Sequence, residues 1–152
     1  MDFQKAFDTV NHACILHKLP YYGILNKELS WITDYLFNRC QVVNYDGTYS
    51  KVEYITHGVP QGSILGPLLF IILVNDLHVK LDKCQLLMYA DDTVLYYSDK
   101  RIENIEYIIN QEADAIQRWV NDNCLLLNFK KGKTEFVVYG SRLNNQPDLQ
   151  EN

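Results

Sequence analysis

No apolar run in this 152-residue chain is long enough to cross a bilayer. The longest, from Ile64 to Val74, is broken by Gly66-Pro67, whereas a spanning helix needs roughly 20 apolar residues in succession. The N-terminus lacks a signal-peptide pattern, since Met1 leads directly into Asp2 and Lys5. Cysteine is sparse and scattered: Cys14, Cys40, Cys84 and Cys124 form no CxxC pair, and no histidine stands at metal-ligand spacing beside them. That usage predicts reduced, mostly buried thiols in an intracellular compartment, nucleus or cytoplasm. A basic excess is missing too. Fourteen Lys and Arg stand against 19 Asp and Glu, a net charge of −5, which argues against a free-standing nucleic-acid binder. Internal repeats and low-complexity tracts are absent as well.

What is present is a globular composition, 47% hydrophobic and 12% aromatic, in a chain long enough for one domain with a core. From Val10 to about Phe37, apolar residues recur at helical spacing (Ile15, Leu16, Leu19, then Leu29, Ile32, Leu36) and Pro20-Tyr21-Tyr22-Gly23 divides them into two helices. Val42 to Tyr45 and Val52 to Ile55 read as strands joined by a turn at Asp46-Gly47. A loop, Gly58 to Ser63, precedes a helix from Leu68 to Leu77, and Leu86 to Ser98 reads as a hairpin. Ile102, Ile105, Ile109, Ala113, Ile116 and Val120 make an amphipathic stripe that ends at Asn123-Cys124. Leu125 to Phe129 and Phe136 to Tyr139 read as strands around the basic turn Lys130-Lys131-Gly132-Lys133, and residues 141–152 as a loose polar tail. Strands interspersed with helices, with a hairpin among them, predict an α+β domain: an antiparallel or mixed sheet backed by helices.

The chemistry concentrates at Tyr89-Ala90-Asp91-Asp92, between the apolar runs Leu86-Leu87-Met88 and Val94-Leu95-Tyr96-Tyr97. Adjacent carboxylates repel and resist ionisation unless a cation offsets them. Divalent metal ions do so, and a pair of them about 3.5–4 Å apart is the usual apparatus for in-line displacement at phosphorus. Successive strand residues face opposite sides, so a tight turn at the pair is what would bring both to one metal cluster. Taken alone, the pattern fits a solvated hairpin turn equally well. Asp2, placed at a strand end beside the hairpin, would complete a three-carboxylate site suited to Mg²⁺; otherwise it is a surface terminus. Phe7 suits either a pocket wall or the core, and Asp8 could cap the helix that follows. In Gly58-Val59-Pro60-Gln61-Gly62-Ser63, glycines permit close backbone approach and Pro60 stiffens the loop. Gln61 then projects an amide that both donates and accepts, while Ser63 could cap the next helix; the plain alternative is a Gly-Pro turn with a cap. Lys130, Lys131 and Lys133 form a solvated turn or supply a lysine that meets a phosphate. His12, His17, His57 and His78 receive no role.

In this order the blocks resemble the palm of a reverse transcriptase of the non-LTR retrotransposon type. Asp2 to His12 resembles that family's first catalytic motif, and Gly58 to Phe70 its template- and nucleotide-contacting motif. Tyr89-Ala90-Asp91-Asp92 is similar to its catalytic hairpin, and Leu127 to Thr134 to the block that follows. The resemblance implies that Asp2, Asp91 and Asp92 bind two Mg²⁺ ions, with Mn²⁺ as a substitute, for nucleotidyl transfer from a dNTP to a DNA primer 3′-hydroxyl on an RNA template. It implies that Phe7 excludes a 2′-hydroxyl, that Gln61 and Gly62 contact the incoming nucleotide, and that Lys133 assists pyrophosphate departure. It further implies a basic fingers region and a thumb. Only Met1 precedes Asp2 and the chain stops at Asn152, so residues 1–140 read as a partial palm whose fingers and thumb belong to a longer parent chain. That reading also accounts for the acidic charge. Two other readings stand beside it: a truncated retroelement remnant or interaction module without catalysis of its own, and another palm-type phosphoryl transferase such as a nucleotide cyclase. The Gly-Val-Pro-Gln-Gly loop argues against the cyclase.

Overall fold

The most apolar stretch of the chain becomes its central helix. In the computed structural model, which describes residues 1–130 and 132–140, α1 (His12–Lys18) and α2 (Asn26–Leu36) are separated by a 3₁₀ turn, Leu19–Tyr22. The turn ends at Gly23 in the left-handed region, φ +79°, where a residue without Cβ is unstrained. Helix α3 (Leu65–Val74) buries Gly66, Leu69, Phe70, Ile72, Leu73 and Val74. A helix apolar on nearly every side belongs in the middle of the packing, and Ile15, Leu19, Leu36, Ile116, Val120 and Leu125 enclose it. Pro67 falls in the first turn of α3, where its missing N–H costs no helical bond. A second 3₁₀ turn, Leu77–Lys80, follows.

All strand pairing among the described residues is antiparallel. The segment expected as two strands forms two short ladders, β1 (Cys40–Gln41) with β4 (Glu53–Tyr54) and β2 (Asn44–Tyr45) with β3 (Thr48–Tyr49). The Asp46-Gly47 turn has positive φ at both central positions, +47° and +79°, the form that matches strand twist. The strands are shorter than expected because Ser50 interrupts them: its Oγ accepts from Val43 N and its own N–H donates to Val43 O, both at 2.9 Å. Hairpin β5 (Gln85–Tyr89) and β6 (Asp92–Tyr96) follows, and then the long helix α4 (Ile102–Asp122). Residues 1–4 lie between β6 and the chain after α4, with Asp2 paired to Asp92 and Phe3 to Leu127.

Several expectations are corrected. The buried face of α4 is Ile108, Glu112, Ile116, Trp119 and Val120, so it shares Ile116 and Val120 with the expected stripe but is rotated away from Ile102, Ile105, Ile109 and Ala113, which are half-buried. A carboxylate holds its middle, because Glu112 accepts from Asp82 N at 3.2 Å and Lys83 N at 3.1 Å. The strand expected at Leu125 to Phe129 reduces to one bridge at Leu127, and Phe136 to Tyr139 form no strand. Among the described residues no neighbouring strand pairs with the latter. The thiols are free, but Cys40 and Cys124 are exposed and Cys14 half-buried; only Cys84 is buried, where burial and then Glu112 push its pKa up to about 11. The tail 141–152 and Lys131 lie outside the described residues.

Candidate active site

The first eight residues touch two clusters of site residues. At one end, Asp2 and Asp92 are cross-strand partners, and directly opposed residues project to the same face. Along the hairpin, Leu86, Met88, Thr93 and Leu95 turn inward while Leu87, Tyr89, Asp92 and Val94 are exposed. Asp92, and Asp2 beside it, therefore stand on the solvent face. Main-chain bonds hold Asp2 there on both sides: Met1 N donates to Thr93 O at 2.7 Å, Thr93 N to Met1 O at 3.1 Å, and Asn128 N to Asp2 O at 2.8 Å. Asp91 occupies the second position of a two-residue turn whose first, Ala90, has φ +54°. Positive φ at that position is common to the primed hairpin turns, and an alanine there is strained.

The side chain of Asp2, 18% exposed, is already engaged. Its Oδ2 accepts from Asn128 Nδ2 at 2.9 Å and faces Lys133 Nζ at 3.8 Å. The sequence analysis assigns Asn128 no role, although it lies within the block carrying Lys133. The lysine is delivered by a turn through Gly132, φ +80°, closed by Lys133 N on Lys130 O at 3.0 Å. Among the described residues no three His, Cys, Asp or Glu side chains are gathered tightly enough to enclose a metal ion. The donor set itself, hard carboxylate oxygens on two paired strands and the turn beside them, suits Mg²⁺ or Mn²⁺.

At the other end, Phe7, Val59, Pro60, Gln61, Gly62, Gly66 and Pro67 line a cleft of about 280 Å³. Phe7 stacks at a tilt on Phe70, ring centroids 4.9 Å apart, so it serves as both core residue and pocket wall. Phe3 meets the same ring edge-on at 6.2 Å. Phe70 thus supports both the strand carrying Asp2 and the wall of the cleft. The loop is strapped to the segment after Asp2 by Val59 N on Phe7 O at 2.8 Å and Gly58 N on Val10 O at 2.7 Å. A Cβ at Gly58 would stand 2.8 Å from Asp8 O, and its φ is +86°. His12, without a role in the sequence reading, is buried with Nε2 2.7 Å from Gly58 O. Ser63 meets the start of α3, its Oγ accepting from Gly66 N at 3.0 Å. Asp8 does not cap α1. Asn11 does, accepting from Cys14 N at 3.2 Å, and Asp8 instead accepts from Gln61 Nε2 at 2.7 Å. A larger groove of about 590 Å³ along α2, lined by Ile24, Lys27, Glu28, Trp31 and Ile32, contains none of the predicted site residues.

The arrangement sets an acidic ledge at one end of residues 2–8 and a cleft with one aromatic and one amide wall at the other. Residues 1–147 match the reverse transcriptase (RNA-dependent DNA polymerase) family. The chain is 29% identical over 160 residues to the RNA-directed DNA polymerase from mobile element jockey of Drosophila melanogaster, covering 100% of this chain and 17% of that protein. It is 33% identical over 137 residues to the probable RNA-directed DNA polymerase from transposon BS of the same species, covering 79% and 14%. With the Pol polyprotein from type-1 retrotransposable element R2 of Popillia japonica it shares 31% identity over 107 residues, covering 62% and 18%. The chain therefore spans less than a fifth of the length of these relatives. With nearly its whole length matched, this chain belongs to the reverse transcriptase family.

Proposed function

We propose that this chain is the palm of an RNA-directed DNA polymerase, which adds dNTPs to a DNA primer 3′-hydroxyl on an RNA template. The observation that carries this reading is the stretch Asp2 to Asp8. It has one carboxylate on the ledge beside Asp92, an aromatic wall in the cleft and a second carboxylate on Gln61. Asp2, Asp91 and Asp92 would hold two Mg²⁺ ions, which supply activation of the primer hydroxyl and neutralisation of phosphate charge. The chain's own residues then do the positioning. Phe7 would close the cleft against a 2′-hydroxyl, Gln61 and Gly62 would meet the nucleotide, and Lys133, which faces Asp2, would give a proton to the departing pyrophosphate. An intracellular site of action, and fingers and thumb supplied by a longer parent chain, belong to the same proposal.

The test is primer extension on an RNA template with Mg²⁺ or Mn²⁺. Asp91→Asn should lower incorporation by about 10³-fold or more, since several kcal/mol of charge stabilisation are lost and each 1.36 kcal/mol is tenfold. Incorporation that survives Asp91→Asn removes the metal-ligand role. The net charge of −5 favours one alternative, a module without catalysis of its own, because gripping a primer–template duplex takes lysine and arginine. No incorporation by the wild type would support that alternative.

A further inference from the structure

Asp8 has no part in the metal or nucleotide roles described so far, yet it is tied to the one amide in the cleft. Gln61 Nε2 donates to Asp8 Oδ1 at 2.7 Å across 53 residues of sequence, with both side chains on the exposed side of the loop. A glutamine between a proline and a glycine would ordinarily be solvated and free to turn. Here the two backbones cannot separate, because the loop is fastened to residues 7 and 10 by main-chain bonds and to His12 through Gly58 O. An ionised carboxylate only accepts hydrogen bonds, so it selects the NH₂ end of the amide and settles which way the group points. Hydrogen bonds to charged acceptors are also the stronger kind. The next residue back, Phe7, is held on Phe70 and lines the same cleft as Gln61.

We propose that Asp8 is a positioning residue: it locks the Gln61 amide so that the cleft presents Oε1 and one remaining N–H to the sugar of an incoming nucleotide. The identity of the ligand rests on the polymerase reading; the Asp8–Gln61 coupling does not. One turn of chain thus fixes both walls, Phe7 through its own ring and Gln61 through its neighbour's carboxylate.

Two measurements on the ¹⁵N-labelled full chain separate these parts. In the first, the side-chain NH₂ resonances of Gln61 are identified by their loss in Gln61→Ala. In the wild type one proton should be shifted downfield by the carboxylate; Asp8→Ala should return it to the position of a solvated amide, and Asp8→Asn, which keeps an acceptor oxygen, should restore part of the shift. Resonances indifferent to Asp8→Ala overturn the coupling. The second follows dTTP with Mg²⁺ titrated into the same samples. Asp8→Ala should weaken binding roughly three- to tenfold, the worth of one oriented hydrogen bond, and should add nothing on top of Gln61→Ala. Additive losses overturn the positioning role. Intact coupling with no dTTP binding by the wild type overturns the nucleotide assignment of the cleft in this chain, while the polymerase reading stands or falls separately on primer extension.

Discussion

The two clusters of site residues are built differently. Around Phe7 and Gln61, neutral backbone groups and one ion-assisted bond assemble the cleft with nothing added: two straps to residues 7 and 10, a histidine on Gly58 O, and a carboxylate on the amide. Around Asp2, Asp91 and Asp92 the backbone is equally well fastened, with Asp2 bonded on both sides, but the carboxylates are not drawn into one group. Asp2 is held through its side chain instead, with Oδ2 accepting from Asn128 Nδ2 and facing Lys133 Nζ.

Three substitutions probe that contrast in stability, beyond the loss of incorporation expected for Asp91→Asn. The largest effect should come from Gly58→Ala. Its Cβ would press on Asp8 O at a φ that alanine resists, costing about 3 kcal/mol from overpacking and left-handed strain together. Gly62→Ala, at φ +78° with nothing within 4 Å, should cost about 1 kcal/mol. Urea unfolding of the pair measures the difference, and equal losses would mean the strap is not what holds the cleft. On the carboxylate side, Ala90→Gly should stabilise by about 0.5 kcal/mol, as relief of the φ +54° strain slightly exceeds glycine's entropic cost. A loss of stability in the same assay would show that the turn is not strained.

The smallest effect is electrostatic and lies where the hairpin hands over to α4. Backbone N–H of Arg101, then the Asn104 side chain, hold the exposed Asp99 carboxyl below its ordinary value of 3.8. A depressed folded pKa stabilises above the unfolded value and loses that contribution as pH falls through the folded one. Asp99→Asn should therefore lower Tm slightly near neutrality, and the gap from wild type should close below about pH 4. A gap constant with pH would assign the effect to lost hydrogen bonding without charge.

Much of this was legible beforehand because it was local. The Asp91-Asp92 hairpin announced itself by two apolar runs around a short polar tip, and the Asp46-Gly47 turn by its residue types. What the sequence does not make legible involves partners far apart along the chain. Lys18, 12% exposed, bonds Leu73 O at 2.6 Å, pairs with Asp76 and lies 4.7 Å from the Trp119 ring; nothing in its neighbours advertises that. Glu112 sits on the buried face of α4 because loop N–H groups of Asp82 and Lys83 meet it there, and a stripe counted by apolar residues alone is rotated past it. Asp8 looked like a cap because a short acceptor ahead of a helix usually is one, yet Asn11, adjacent to the helix, took that place.

The family, the order of the motifs and the residue types at each are properties of short segments and their spacing, and are legible in the chain before it folds. Which of those residues meet is a matter of tertiary packing. It set Asp2 against Asp92, closed Phe7 and Gln61 around one cleft, and gave Asp8 to Gln61 instead of to a helix. Those pairings depend on how strands and helices far apart in sequence satisfy one another's buried surface and backbone groups, which no single segment encodes.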